Sequence, residues 1–295
     1  MKSYCLNIAS YIISFESPEQ GPELFSSQRF KNYLCTDEDP DLKIIIHSAP
    51  YKIPDNAKRV FHAPLVEERD KMLIETNDNF WSIYYDGSEI FIKTVFPYSD
   101  KEKEAVVKLS LSTAEWDLYI TGENHVLDPF EYPLDGLILY YLTVKSGDIM
   151  IHASGVNHSG YGFLFSGISG KGKSTMAGLW KENGAEIIHD DRLIIRKMSD
   201  TWQMFNTPIY NDEVPKGSVL THIYLIEHGT ENKLVRLRES EAVSNVLANC
   251  IQQNWDPEII KGLISNLSDI CSYIPVFRLS FLPDSSITDF LPGNE

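Results

Sequence analysis

The stretch Tyr161-Gly162-Phe163-Leu164-Phe165-Ser166-Gly167-Ile168-Ser169-Gly170-Lys171-Gly172-Lys173-Ser174-Thr175 decides the fold class of this 295-residue chain. Tyr161 to Phe165 is an apolar run of strand length. It feeds into Gly167-x-x-x-x-Gly172-Lys173-Ser174. Beyond the loop, Met176, Ala177, Leu179 and Trp180 fall on one helical face, and Gly184 ends the helix. Strand, glycine loop and helix in this order make a phosphate cradle. Glycines let the backbone curl so that successive N–H groups point inward, and a helix N-terminus favours negative charge. Gly167, Ile168, Ser169, Gly170, Lys171, Gly172, Lys173, Ser174 and Thr175 are therefore the expected nucleotide-binding residues. Lys173 is placed to reach the β- and γ-phosphates and the Ser174 hydroxyl to ligate Mg²⁺. The expected ligand is ATP with Mg²⁺.

Seventeen positions beyond Lys173, at the end of the short strand Glu186-Ile187-Ile188-His189, stands Asp190-Asp191. One helix and one strand fit in that interval, so the strand can return beside the loop and set both carboxylates near the γ-phosphate. One carboxylate can then serve Mg²⁺ and the other can accept a proton from an attacking hydroxyl. His189 precedes the pair. Strand alternation turns it away from Asp190, which favours a structural role. His152 ends the apolar strand Ile149-Met150-Ile151.

Farther upstream the chain reads as β. Leu6–Phe15, Leu42–His47, Arg59–Phe61, Val106–Leu111 and Glu115–Tyr119 are rich in β-branched and aromatic residues. Phe80–Tyr85 and Glu89–Lys93 flank Asp86-Gly87, a hairpin signal. The pattern changes near Pro133, where Leu134, Leu137, Ile138, Tyr141 and Leu142 recur at helical spacing up to Gly147. Downstream, strands and helices alternate. Ser240–Asn254 reads as an amphipathic helix. Asp256-Pro257-Glu258 caps another. The expected organisation is a β-rich domain over 1–130 and an α/β domain over 131–295.

Composition narrows the function classes. The net charge of −16 opposes nucleic acid phosphates, so no nucleic acid partner is expected. Apolar runs stay well short of the ~18 residues of a membrane helix, and the N-terminus lacks a signal-peptide apolar region. A cytoplasmic protein without a membrane partner is expected. The cysteines Cys5, Cys35, Cys250 and Cys271 lack zinc-site spacing and read as reduced thiols.

Ile151-His152-Ala153-Ser154-Gly155-Val156, the loop Gly162 to Thr175, and Gly184 to Asp190-Asp191-Arg192 together resemble the catalytic domain of HPr kinase/phosphorylase. That family has a His before the loop, a G-x-S-G-x-G-K-S loop and an Asp-Asp pair at this short distance. The later Asn206-Thr207-Pro208-Ile209-Tyr210, Ile223–Ile226 and Leu234–Leu237 segments are similar to the HPr-kinase-like proteins of peptide-maturation gene clusters. The resemblance implies the α/β P-loop fold shared with phosphoenolpyruvate carboxykinase, preceded here by the β-rich domain. It implies transfer of the ATP γ-phosphate to a serine hydroxyl of a peptide, protein or small molecule. By position, Asp190 would be the general base, Asp191 and Ser174 would support Mg²⁺, Lys173 would bind the phosphates, and His152 would sit near the transferred group. A homo-oligomer is implied, since HPr kinases form hexamers. The sequence departs from the family at Thr175, where the family has Glu. It also lacks the Glu-x-Arg-Gly run, reading Asn211-Asp212-Glu213-Val214-Pro215-Lys216-Gly217, which speaks against a phosphorylase activity. Tyr210, Asp212 and Glu213 are candidates for a substrate cleft or a surface loop. The alternative function is a non-catalytic nucleotide-binding regulatory module, which needs the loop but no base.

Overall fold

The computed structural model describes residues 1–36, 39–69, 72–97, 103–121, 126–168, 170–211 and 213–291. The chain is mixed α/β with large sheets, and it divides into two compact units. One comprises Met1–Leu142 with Tyr210–Glu213, the other Thr143–Ile209 with Val214 onward. Among the described residues no helix is long and apolar enough to cross a membrane. All four cysteines are free thiols.

The first unit is built from β1 (Ser3–Ile8), β2 (Tyr11–Glu16), β3 (Glu23–Leu24), β4 (Leu34–Cys35), β5 (Leu42–His47), β6 (Lys58–Arg69), β7 (Met72–Tyr85), β8 (Ile90–Val95), β9 (Glu104–Leu109), β10 (Glu115–Ile120) and β11 (Val126–Leu127). Its main sheet runs β4-β1-β2-β5-β10-β9-β8-β7-β6. The Leu6–Phe15 run is two strands rather than one. Ala9 and Ser10 take positive φ values of 53° and 60° and reverse the chain between β1 and β2. Neither is a residue that favours positive φ, so the break carries little signal in the sequence. The Asp86-Gly87 hairpin joins β7 and β8 as its turn chemistry dictates. Asp86 Oδ1 accepts from the backbone N–H groups of Ser88 and Glu89 at 2.9 and 2.8 Å.

Asp128 lies buried in this unit, its Oδ1 accepting from the Phe130 N–H at 3.0 Å. Burial pushes its carboxyl up to about 6, against an ordinary 3.8, despite the opposing pull of Arg29. A raised carboxyl favours the folded state while it keeps its proton. That advantage is complete below the unfolded value and is lost as pH rises through about 6, amounting to about 3 kcal/mol. Asp128→Asn keeps an acceptor and carries no charge. Urea unfolding is therefore expected to show the variant gaining on the parent by about 2 kcal/mol between pH 4 and pH 7.5. Parallel stability profiles for the two proteins would contradict this.

Helix α1 (Leu134–Ser146) follows, most of it in the first unit. The second unit then contains β12 (Ile149–His158), β13 (Tyr161–Ser166), α2 (Lys173–Glu182), β14 (Glu186–His189), β15 (Arg192–Met198), β16 (Thr201–Asn206), β17 (Gly217–Val219), β18 (His222–His228), β19 (Lys233–Leu237), α3 (Glu239–Leu247), α4 (Pro257–Tyr273), β20 (Val276–Phe281) and α5 (Ser286–Phe290). The sheet order is β17-β16-β15-β12-β13-β18-β20-β19, with β14 also on β12. β13, β18 and β20 are parallel neighbours. Two apolar clusters form its core. One gathers α3 and α4 residues such as Val246, Leu267 and Ile270 with Leu164 and Ile223. The other places Met176 and Trp180 of α2 against Phe163, Phe165 and Tyr224.

The Ser240–Asn254 helix is shorter than its periodicity predicts. α3 stops at Leu247 because the following chain pairs with β12 instead. His152 N–H donates to Asn249 O at 3.1 Å and Ile251 N–H to Met150 O at 2.8 Å. α4 begins as predicted, with Asp256 Oδ1 accepting from the Glu258 N–H at 2.8 Å and Pro257 in the first turn.

Candidate functional site

The site grows from the long strand β12. Its neighbour β13 pairs Ala153 with Ser166, so β13 ends, and the glycine loop begins, level with the middle of β12. On the other edge, β15 pairs with the first half of β12 and β14 with the second. The junction between β14 and β15 is Asp190-Asp191. Register thus sets the acidic pair opposite Ala153 and Ser154, with Ala153 N–H donating to Asp191 O at 3.0 Å. The loop and the acidic pair meet because both are tied to the same two turns of one strand's pleat.

The glycine loop leads straight into α2. Gly172 stands at the helix N-cap with φ 92°, in the left-handed region. A Cβ there would also lie 2.9 Å from the Phe281 ring and 3.0 Å from the His228 ring. Conformation and space both demand glycine at this point. Lys173 is buried, and its Nζ donates to Gly167 O at 2.9 Å, folding back over its own loop. Burial lowers the Lys173 ammonium from its ordinary value, while the charges of Asp190 and Asp191 work to raise it. That mutual influence places all three side chains in one field. Ile168, Gly170, Ser174 and Thr175 are exposed, and Lys171 is half-buried. Ser169 lies outside the described residues.

Each carboxylate of the pair has a partner on β12. Ser154, fully buried, donates its hydroxyl to Asp190 Oδ1. His152 Nδ1 lies 3.1 Å from Asp191 Oδ1, with both side chains partly exposed. The His152 hydrogen bond holds the Asp191 carboxyl below the usual carboxylate range, against the effect of burial. The ground is further fixed by Ser166 Oγ, which donates to His152 O at 2.8 Å. His189 is buried, and its Nδ1 accepts from the N–H groups of Asp191 and Arg192 at 3.0 and 3.1 Å. Its structural role is therefore specific: it ties down the acidic turn.

Of the candidates, His152 and Asp191 are in direct contact, and Lys173 lies within the field of both carboxylates. Ser154 was not singled out from the sequence. A serine in a β strand carries no signal by itself, and only strand register brings it to a carboxylate 36 positions away. Tyr210 and Glu213 belong to the first unit, where Tyr210 N–H donates to Glu213 Oε2 at 3.0 Å, and Asp212 lies outside the described residues.

For a cation, the available donors are oxygens: the exposed Ser174 hydroxyl at the first turn of α2 and the ionised Asp191 carboxylate. Among the described residues no group of three or more His, Cys, Asp or Glu side chains could hold a metal by itself. This donor set fits Mg²⁺, which is usually held by one or two protein oxygens together with phosphates and water.

Comparison with protein-family profiles finds no match to this sequence, and no curated protein matches it. Among solved structures, the chain is similar to the Hpr(Ser) kinase/phosphatase from Coxiella burnetii. The TM-score is 0.28 at 11% identity, covering 45% of this chain and 84% of that one.

Proposed function

We propose that the second unit is an ATP-dependent kinase of the P-loop type that transfers the γ-phosphate to a hydroxyl group. The observation that carries the proposal is an acidic pair held by strand register level with the start of the glycine loop. These carboxylates stand on the β14–β15 junction. A loop that only grips phosphates has no need of two carboxylates, which by charge alone would oppose the ligand.

In this reading the loop N–H groups and Lys173 hold the β- and γ-phosphates. Lys173 exchanges its Gly167 carbonyl partner for phosphate oxygens. Asp191, kept ionised by His152, and the Ser174 hydroxyl would hold Mg²⁺, which when bound neutralises charge on the phosphates. Asp190, aimed by Ser154, takes the proton from the attacking hydroxyl. His152 lies beside the transferred group. The resemblance noted above favours a serine acceptor, on a peptide, protein or small molecule. The same proposal takes ATP and Mg²⁺ as the ligands and a cytoplasmic setting, with self-association as the resemblance implies.

The test is incubation with γ-labelled ATP, Mg²⁺ and candidate hydroxyl acceptors, read as label transferred. Transfer is expected, and Lys173→Ala is expected to abolish it together with ATP binding. ATP binding by the parent with no transfer to any acceptor would replace the kinase with a nucleotide-binding regulatory module.

A further inference from the structure

We infer that His189 is the positioning residue of the acidic pair, holding the Asp190–Asp191 turn through an unprotonated Nδ1. The Asp191 and Arg192 N–H groups both point at that one nitrogen, at 3.0 and 3.1 Å. A ring nitrogen that accepts carries no hydrogen, so the imidazole is the neutral Nε2–H tautomer. The arrangement copies an Asx turn, with imidazole in place of a side-chain carbonyl.

The rest of the turn is fixed from outside. Ala153 N–H donates to Asp191 O at 3.0 Å, and Thr207 Oγ1 donates to Arg192 O at 3.0 Å. Those contacts anchor the carbonyls of Asp191 and Arg192. His189 takes their two N–H groups, and a buried amide without a partner is costly. His189 is itself fixed, being buried and paired in register with Gly155 on β12. β14 thus delivers a rigid acceptor one residue before the pair it holds. A rotated Asp191 peptide would swing the Asp190 and Asp191 side chains off Ser154 and His152.

The catalytic consequence rests on the kinase reading; the turn geometry does not. The experiment therefore has two arms. Without nucleotide, a long-range ¹H–¹⁵N spectrum of the parent is expected to show His189 as the Nε2–H tautomer. Exchange of the Asp191 and Arg192 amides is expected to be at least about tenfold faster in His189→Leu than in the parent. His189→Asn, whose side-chain carbonyl can accept in place of Nδ1, is expected to restore much of that protection. With ATP and an acceptor, His189→Leu is expected to lower kcat by about 10- to 100-fold while KM for ATP stays within about twofold, since the loop is untouched. His189→Asn is expected to recover most of the rate.

An Nδ1–H tautomer in the parent would overturn the inference, as would unchanged amide exchange in a folded His189→Leu protein. If His189→Leu does not fold, the parent spectrum and the Asn variant decide. Should the first arm hold while no ATP is bound, the kinase reading fails and the role of His189 in the turn stands. Should transfer occur with His189→Leu indistinguishable from the parent in both arms, the positioning role alone fails.

Discussion

Asp190→Asn is expected to bind ATP within a few-fold of the parent and to lose phosphoryl transfer by about 10²- to 10⁴-fold. The substitution is isosteric. The amide oxygen can still accept the hydroxyl of Ser154, which is buried and donates to Asp190 in the parent. Lys173, the loop and Asp191 keep their places. What disappears is the capacity to take a proton. Calorimetric binding of ATP with Mg²⁺, beside single-turnover transfer of labelled γ-phosphate, separates the two quantities. A variant that binds and turns over ATP like the parent would remove Asp190 from the role of base. Loss of binding together with transfer would make Asp190 part of the phosphate or metal site. Asp191→Asn should behave differently, with weaker dependence of ATP binding on Mg²⁺, since Asp191 is the carboxylate held ionised by His152.

The second large effect is expected away from the chemistry. Gly162→Ala should destabilise the second unit by about 3 kcal/mol or more. A Cβ on Gly162 would lie 1.9 Å from Val219 O and 2.9 Å from Val219 C. The obstacle is backbone, so no rotamer change relieves it. The two segments are also pinned together, since Thr221 N–H and Thr221 Oγ1 both donate to Gly162 O, at 2.8 and 3.0 Å. Accommodating a methyl group means moving β13, and β13 leads into the glycine loop. ATP affinity should therefore fall along with stability. Gly178→Ala in α2 is the control. A Cβ there meets nothing within 4 Å, so the change should stabilise by roughly 0.5–1 kcal/mol through helix propensity. Urea unfolding of both variants reads the contrast. A Gly162→Ala protein as stable as the parent would show that the β13 approach to Val219 is looser than described.

Legibility in the sequence followed the range of the determining forces. The glycine loop, the Asp86-Gly87 hairpin and the Asp256-Pro257 helix start were all readable. Each depends on the φ preference or hydrogen-bonding reach of residues a few positions apart. Where local signals were weak or overruled, the reading failed. Ala9 and Ser10 turn the chain at positive φ, which neither residue type favours. α3 ends early because Asn249 and Ile251 offer backbone partners to β12, a competition that helical periodicity cannot register. β16 and β17 went unread, and β17 is a strand of three residues with glycine at its start.

The sequence by itself determined a glycine loop in its strand–loop–helix setting, and an acidic pair one helix and one strand farther on. Those features rest on backbone freedom and apolar periodicity, which act locally. Only the tertiary structure decided that Ser154 faces Asp190 and that His152 faces Asp191. β12 serves β13 on one side and β14 and β15 on the other, so a single register fixes every one of these meetings. A one-residue slip would turn His152 and Ser154 to the opposite face of the sheet and leave the pair unsupported.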